Sequence, residues 1–157
     1  MKPIKILFVC LGNICRSPAA EGVMKKLAEE SPITIDSAGT AGYHIGELPD
    51  ARMRTHARKR GYELTSRARQ FDPSKDFAAF DYIIAMDGNN LRDLQMMDKT
   101  KQYHQKLSVM TDYSITMDVN EVPDPYYGGP EGFEHVLDIL EDACSGLLKK
   151  LHNNTSS

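Results

Sequence analysis

The chain has 157 residues, 41% of them hydrophobic, and a formal net charge of −3. That length makes one domain with room for a core, and so mild a charge argues against general nucleic-acid or membrane-surface binding. No apolar run approaches a membrane span, no signal-peptide pattern opens the chain, and the three cysteines form neither a disulfide framework nor a zinc spacing, so a reducing, cytoplasmic setting is expected.

Ile4 to Val9, apolar apart from Lys5, reads as a central strand buried on both faces. After a loop over residues 10–17, a helix is expected from Pro18 to Glu30, with Ser17 as its cap and Pro18 in its first turn. Ala20, Val23, Met24, Leu27 and Ala28 form its apolar stripe, and Ser31-Pro32 stops it. Ile33 to Ile35 is a short strand whose end carries Ser37. Thr40 to Pro49 is a loop punctuated by glycine, with Tyr43 and His44 on it. Asp50 to Arg60 forms a second helix closed by Gly61; Ala51, Met53 or Arg54, and Ala57 face the core and His56 faces solvent.

The stretch from Gly61 to Phe71 is mixed, with Leu64 as its anchor. Phe80 to Met86 is a further strand, and Asp87 at its end, where open α/β sheets gather functional residues, could support the site or cap a helix from Gly88 to Met97, the cap being favoured. Leu107 to Met110 is the last strand. Residues 118–129 form a loop rich in Pro, Gly and Tyr, in which Asp124 between two prolines reads by itself as an Asp-Pro turn. Pro130 to Leu151 is helical, with Cys144 on the apolar stripe as a packed thiol. Residues 153–157 are a frayed tail, leaving 1–152 as the domain.

Strand and helix alternate throughout, which argues a single α/β domain with a parallel sheet, right-handed crossovers and helices on both faces. Charge is uneven. Seven Lys/Arg lie between Pro49 and Gln70, and nine Asp/Glu with no Lys or Arg lie between Asp112 and Asp142. These read as two solvated faces.

The loop Cys10-Leu11-Gly12-Asn13-Ile14-Cys15-Arg16-Ser17 joins a buried strand to a helix N-terminus. Such a loop points backbone N–H groups at one spot and adds the positive end of the helix dipole, which makes an anion site. A thiol beside a helix N-terminus and an Arg has a lowered pKa. Arg16 presents a planar fork that matches two phosphate oxygens, and Ser17 can donate to the sulfur. Asn13 suits a left-handed backbone, and Cys15 reads as a buried small residue. Nucleophile, oxyanion cradle and charge clamp in one loop suit in-line attack on a phosphoryl group. Gly-Lys-Ser/Thr is absent, so this is no Walker loop, and a single glycine makes no dinucleotide fingerprint.

Cys-x5-Arg-Ser/Thr is the signature of cysteine-dependent phosphatases. Its setting near the N-terminus as Val9-Cys10-Leu11-Gly12-Asn13-Ile14-Cys15-Arg16-Ser17-Pro18 is narrower. With Asp36-Ser37-Ala38-Gly39, Phe80-Asp81-Tyr82-Ile83-Ile84-Ala85-Met86-Asp87 and Val122-Pro123-Asp124-Pro125-Tyr126, it closely resembles the low-molecular-weight protein tyrosine phosphatase family along nearly the whole chain.

The resemblance implies a four-stranded sheet and hydrolysis of phosphotyrosine in proteins, and of aryl phosphates, through a cysteinyl-phosphate. Cys10 would be the nucleophile, Arg16 the phosphate clamp and Asp124 the general acid and base. Residues Leu11 to Ser17 would bind phosphate, with free phosphate, sulfate and vanadate as competitors, and no metal or cofactor is required. The family ties the asparagine at position 13 to a serine, matched by Ser37, and to a histidine, where this chain departs with Ser66. Tyr43, Tyr126 and Tyr127 would wall the cleft. Cys10 and Cys15 would form a reversible disulfide under oxidation.

Three other uses of this loop fit less well. A thioredoxin-coupled arsenate reductase needs two more cysteines, and only Cys144 lies outside the loop. A protein-arginine phosphatase typically has threonine where this chain has Ile14. A phosphate-binding module without turnover would lack Cys10, Arg16 or Asp124.

Overall fold

A computed structural model describes residues 2–126 and 128–155. In chain order the elements are β1 (Ile4–Cys10), α1 (Arg16–Leu27), β2 (Ile33–Gly39), α2 (Ala51–Lys59), α3 (Asp76–Ala79), β3 (Tyr82–Ala85), α4 (Gly88–Met97), β4 (Leu107–Val109) and α5 (Pro130–Thr155). The four strands are all parallel and ordered β2-β1-β3-β4. The chain leaves β1 toward one sheet edge and later returns to its other side. That reversal opens a crevice at the C-terminal end of β1, the usual ligand position in open parallel sheets.

Ile6, Leu7, Phe8 and Val9 are wholly buried, as a strand apolar on both faces requires. Ile6 and Phe8 join one apolar layer with Val23 and Met24 of α1, Met53 and Ala57 of α2, and Leu137 and Leu140 of α5. Leu7 and Val9 join the opposite layer with Phe77 of α3 and Leu94 of α4. Each such side chain contributes about 1.5–3 kcal/mol when fully buried.

Several boundaries differ from the sequence reading. The helix expected from Pro18 begins at Arg16, and Cys15 is the N-cap residue with no side-chain cap. β2 extends to Gly39 because all seven residues pair in register with β1, so the ladder overrides the weak strand preference of Asp36, Ser37 and Gly39. β3 is confined to Tyr82–Ala85, since Phe80 closes the short helix α3, which carries too few residues to show a periodicity. Met110 leaves the last strand for a 3-10 turn over Met110–Tyr113. Ala51 is exposed rather than core-facing. α5 runs on to Thr155, past the end of its apolar stripe. It meets the 3-10 turn so closely that a Cβ at Gly146 would stand 1.8 Å from the Tyr113 carbonyl oxygen. Among the described residues no helix is long and apolar enough to cross a membrane.

Most charged side chains of the two segments are exposed, as expected, but the segments meet at one point. α2 and the residues after it lie against α5, and Arg60 bridges Glu134 at 2.7 Å, Asp138 at 2.9 Å and Glu141 at 2.6 Å. Tyr62 donates to Glu141, and His56, half-buried and stacked on Phe133, pairs with Glu134. Hydrogen bonds from Arg60 and then His56 hold the Glu134 carboxyl below its ordinary pKa. The two segments thus meet through Arg60 and His56, while Arg52, Arg58 and Arg69 pair with carboxylates outside the acidic segment.

Candidate active site

Backbone hydrogen bonds shape the loop after β1. The carbonyls of Cys10, Leu11 and Ile14 are drawn outward by the amides of Thr40 (2.9 Å), Ala41 (2.9 Å) and Asp50 (2.7 Å). In a trans peptide the carbonyl and the following N–H point in opposite directions. The amides of Leu11, Gly12 and Cys15 are therefore turned inward. The Asn13 amide donates to the Cys10 sulfur at 3.3 Å, and the Ser17 hydroxyl lies 3.0 Å from the same sulfur. Ser17 thus sits inside the first turn of α1 and serves the sulfur instead of capping the helix. The close approach of β2 to this loop depends on Gly39, where a Cβ would stand 2.8 Å from the Leu11 carbonyl oxygen.

Asn13 takes the left-handed backbone its residue type favours, at φ 59°. Its side-chain NH2 donates to Ser17 Oγ at 2.8 Å, and its Oδ1 accepts the Arg69 backbone amide at 3.0 Å. The supports expected from the family pattern are placed differently. Ser37 Oγ donates to Glu21 Oε1 at 2.5 Å, so Ser37 is tied to α1 and not to Asn13. Among the described residues no hydrogen bond joins Ser66 to Asn13, and the Arg69 amide occupies that side. Glu21 and Arg69 went unnoticed in the sequence. Glu21 reads as an ordinary polar helix residue, and Arg69 acts through its main chain, which residue type cannot reveal.

Arg16 is 3% exposed. Its Nη1 donates to Asp87 Oδ2 at 2.6 Å and to the Val122 carbonyl at 3.1 Å, while Nη2 stands 3.9 Å from Asp124 Oδ2. Burial opposes its charge, but Cys10 and the Asp87 carboxylate outweigh that and hold its pKa above the ordinary arginine value. Asp87 does cap α4, accepting from the Asn90 amide at 2.8 Å. Its second oxygen fixes the guanidinium, so the cap and the support are one residue.

Above the loop opens a cleft of about 340 Å³ whose floor includes Cys10 and Arg16 and whose walls include Tyr43, His44, Asp124 and Tyr126. The Asp124 side chain is 47% exposed, within reach of a bound molecule, and its Oδ1 accepts the Tyr126 amide at 3.0 Å. Tyr43 is 76% exposed on its loop. Tyr127, expected beside Tyr126, lies outside the described residues. No cluster of three or more His, Cys, Asp or Glu suited to a metal occurs among the described residues.

Burial, reinforced by Asp50, pushes the Cys15 thiol well above its ordinary pKa, and burial does the same to Cys144, which is wholly enclosed as a core thiol. Both therefore stay protonated and sheltered near neutrality. Iodoacetamide at neutral pH is expected to leave Cys15 and Cys144 unmodified in the folded protein and to label both after denaturation. Peptide mass mapping reads the difference, and labelling of either in the native state would contradict it.

A four-stranded parallel α/β sheet presents Cys-x5-Arg-Ser in the loop after its first strand. Residues 5–157 match the family described as low molecular weight phosphotyrosine protein phosphatase, and the chain belongs to that family. A Synechocystis sp. relative is 54% identical over 152 residues, covering 94% of this chain and 96% of its own length. The human low molecular weight phosphotyrosine protein phosphatase is 41% identical over 152 residues, with coverages of 94% and 95%. The solved structure of an Entamoeba histolytica protein tyrosine phosphatase superposes with a TM-score of 0.92 at 50% identity, covering 97% of this chain and 99% of that one. The protein is accordingly a protein tyrosine phosphatase, and its substrates are phosphoproteins.

Proposed function

We propose that hydrolysis runs through a phosphocysteine. The Cys10 sulfur attacks phosphorus in line as the bond to the tyrosine oxygen breaks. The inward amides and Arg16 hold the equatorial oxygens, and Asp124 gives its proton to the departing phenolate. A water then attacks the cysteinyl-phosphate, Asp124 takes the proton it sheds, and the Cys10 thiolate and inorganic phosphate are released. The observation that carries this reading is the convergence on one sulfur of the Asn13 amide and Ser17 hydroxyl, with Arg16 and Asp124 in the same cleft. The residues from Leu11 to Ser17 form the phosphate cradle, and Tyr43 and Tyr126 flank the phenol.

Phosphate, sulfate and vanadate should compete with substrate for this cradle. Such thiol chemistry needs a reducing compartment, and that need supports a cytoplasmic setting. Under peroxide, Cys10 is oxidised to the sulfenic acid and condenses with the Cys15 thiol, losing water to give a disulfide that thiols reduce again. The burial that keeps Cys15 protonated makes it a slow partner in that step.

Acid quenching during turnover of a phosphotyrosine peptide, followed by peptide mass mapping, is the direct test. Phosphate should be found on the peptide bearing Cys10. Steady turnover with no phosphate on that peptide, in a quench fast enough to catch the burst, would rule out the covalent route.

A further inference from the structure

We propose that Arg52 is a positioning residue that holds the Asp124 segment over the phosphate loop. The inference rests on Asp124 as the proton donor.

The segment from Val122 to Tyr126 is anchored at both ends. Its first end is fixed from inside the site. The Val122 amide donates to the Met86 carbonyl at 2.9 Å, and the Val122 carbonyl accepts from Arg16 at 3.1 Å. Its far end is held from α2. Arg52 Nη2 donates to the Tyr126 carbonyl at 2.9 Å, and the guanidinium lies 5.4 Å from the centre of the Tyr126 ring and 4.9 Å from that of Phe133. On its other side the Tyr126 residue donates its own amide to Asp124 Oδ1. One residue therefore receives Arg52 at its carbonyl and orients the Asp124 carboxylate with its N–H.

Arg52 is itself tied to the phosphate loop. Its Nε and Nη2 reach the two oxygens of Asp50 at 3.2 and 3.0 Å. The Asp50 amide in turn donates to the Ile14 carbonyl at 2.7 Å. The guanidinium thus spans the cradle and the acid segment, and only a planar fork that also stacks on rings can make all of these contacts at once. A Lys could supply the charge but not the geometry. The cap on α2 does not depend on this side chain, because Asp50 accepts the backbone amides of residues 52 and 53. Replacing the side chain therefore spares the helix start.

Misplacing a catalytic group by about an ångström can cost up to ~100-fold, and the loss falls on the step that needs the proton. The test compares kcat/KM, which reports the first chemical step, for phosphotyrosine and for 2,4-dinitrophenyl phosphate, whose leaving group needs no proton. Arg52→Ala is expected to lose on the order of 10-fold on phosphotyrosine and less than about 2-fold on the dinitrophenyl ester. Arg52→Lys should behave like the alanine variant. Equal losses on both substrates, or full recovery with lysine, would make Arg52 a source of positive charge and overturn the proposal, as would no loss on either. The same pair of substrates run with Asp124→Ala separates the two failures. If that variant shows no leaving-group dependence, the assignment of Asp124 has failed rather than that of Arg52.

Discussion

Cys10→Ser should give a folded protein that binds phosphotyrosine and releases no phosphate. The serine hydroxyl is a far weaker nucleophile than sulfur. The remaining cradle stays intact, because Asn13, Ser17 and Arg16 take their positions from each other, from Arg69 and from Asp87. Steady-state phosphate release should therefore vanish while calorimetry still detects capture of a phosphotyrosine peptide. Release above the solvent rate would remove Cys10 from the centre of the reaction. Loss of both binding and turnover would point instead to collapse of the loop, and the unfolding temperature would show it.

Asp124→Ala should lower kcat/KM on phosphotyrosine by ~10²–10⁴-fold, the scale of a lost acid–base group. The phenol of tyrosine has a pKa of ~10 and leaves poorly without a proton. The loss should shrink steadily along a series of aryl phosphates whose phenols are more acidic. The change is local, since the side chain is half exposed and meets the Tyr126 amide and the distant edge of Arg16. A uniform loss across the whole series would show that the carboxylate does something other than deliver a proton.

Much of the site could be read from the chain because its chemistry is packed into one contiguous loop. Residue types there state their purpose: a thiol at a strand end, an asparagine where the backbone turns left-handed, and an arginine two residues before Pro18. The parallel sheet was equally legible, since Ile6 to Val9 and Ile83 to Ala85 are too apolar to lie anywhere but inside, and the resemblance implied its four strands. What escaped was long-range pairing. Asp87 was favoured as a helix cap over a support of the site and is both, because its place at a strand end does not name Arg16, 71 residues away in sequence, as the partner of its other oxygen. Ser37 was assigned to Asn13 by pattern, while Glu21 supplies the acceptor it uses. The basic and acidic stretches were read as solvent-facing, and most of their charged side chains are, but charge alone does not say where the two stretches meet. Their apposition through Arg60, Glu134 and Glu141 is a fact of packing.

The placement of α5 has a further consequence. Phe133, Val136, Leu137, Leu140, Cys144 and Leu147 cover the face of the sheet formed by Ile6, Phe8 and α1. During synthesis, β1 and the phosphate loop emerge from the ribosome long before that cover does. A nascent chain must carry a bare, sticky flank until the α5 sequence has cleared the exit tunnel, a state prone to clumping and to chaperone capture. The chain thus makes the strand and loop that carry Cys10 early in translation and their shelter late.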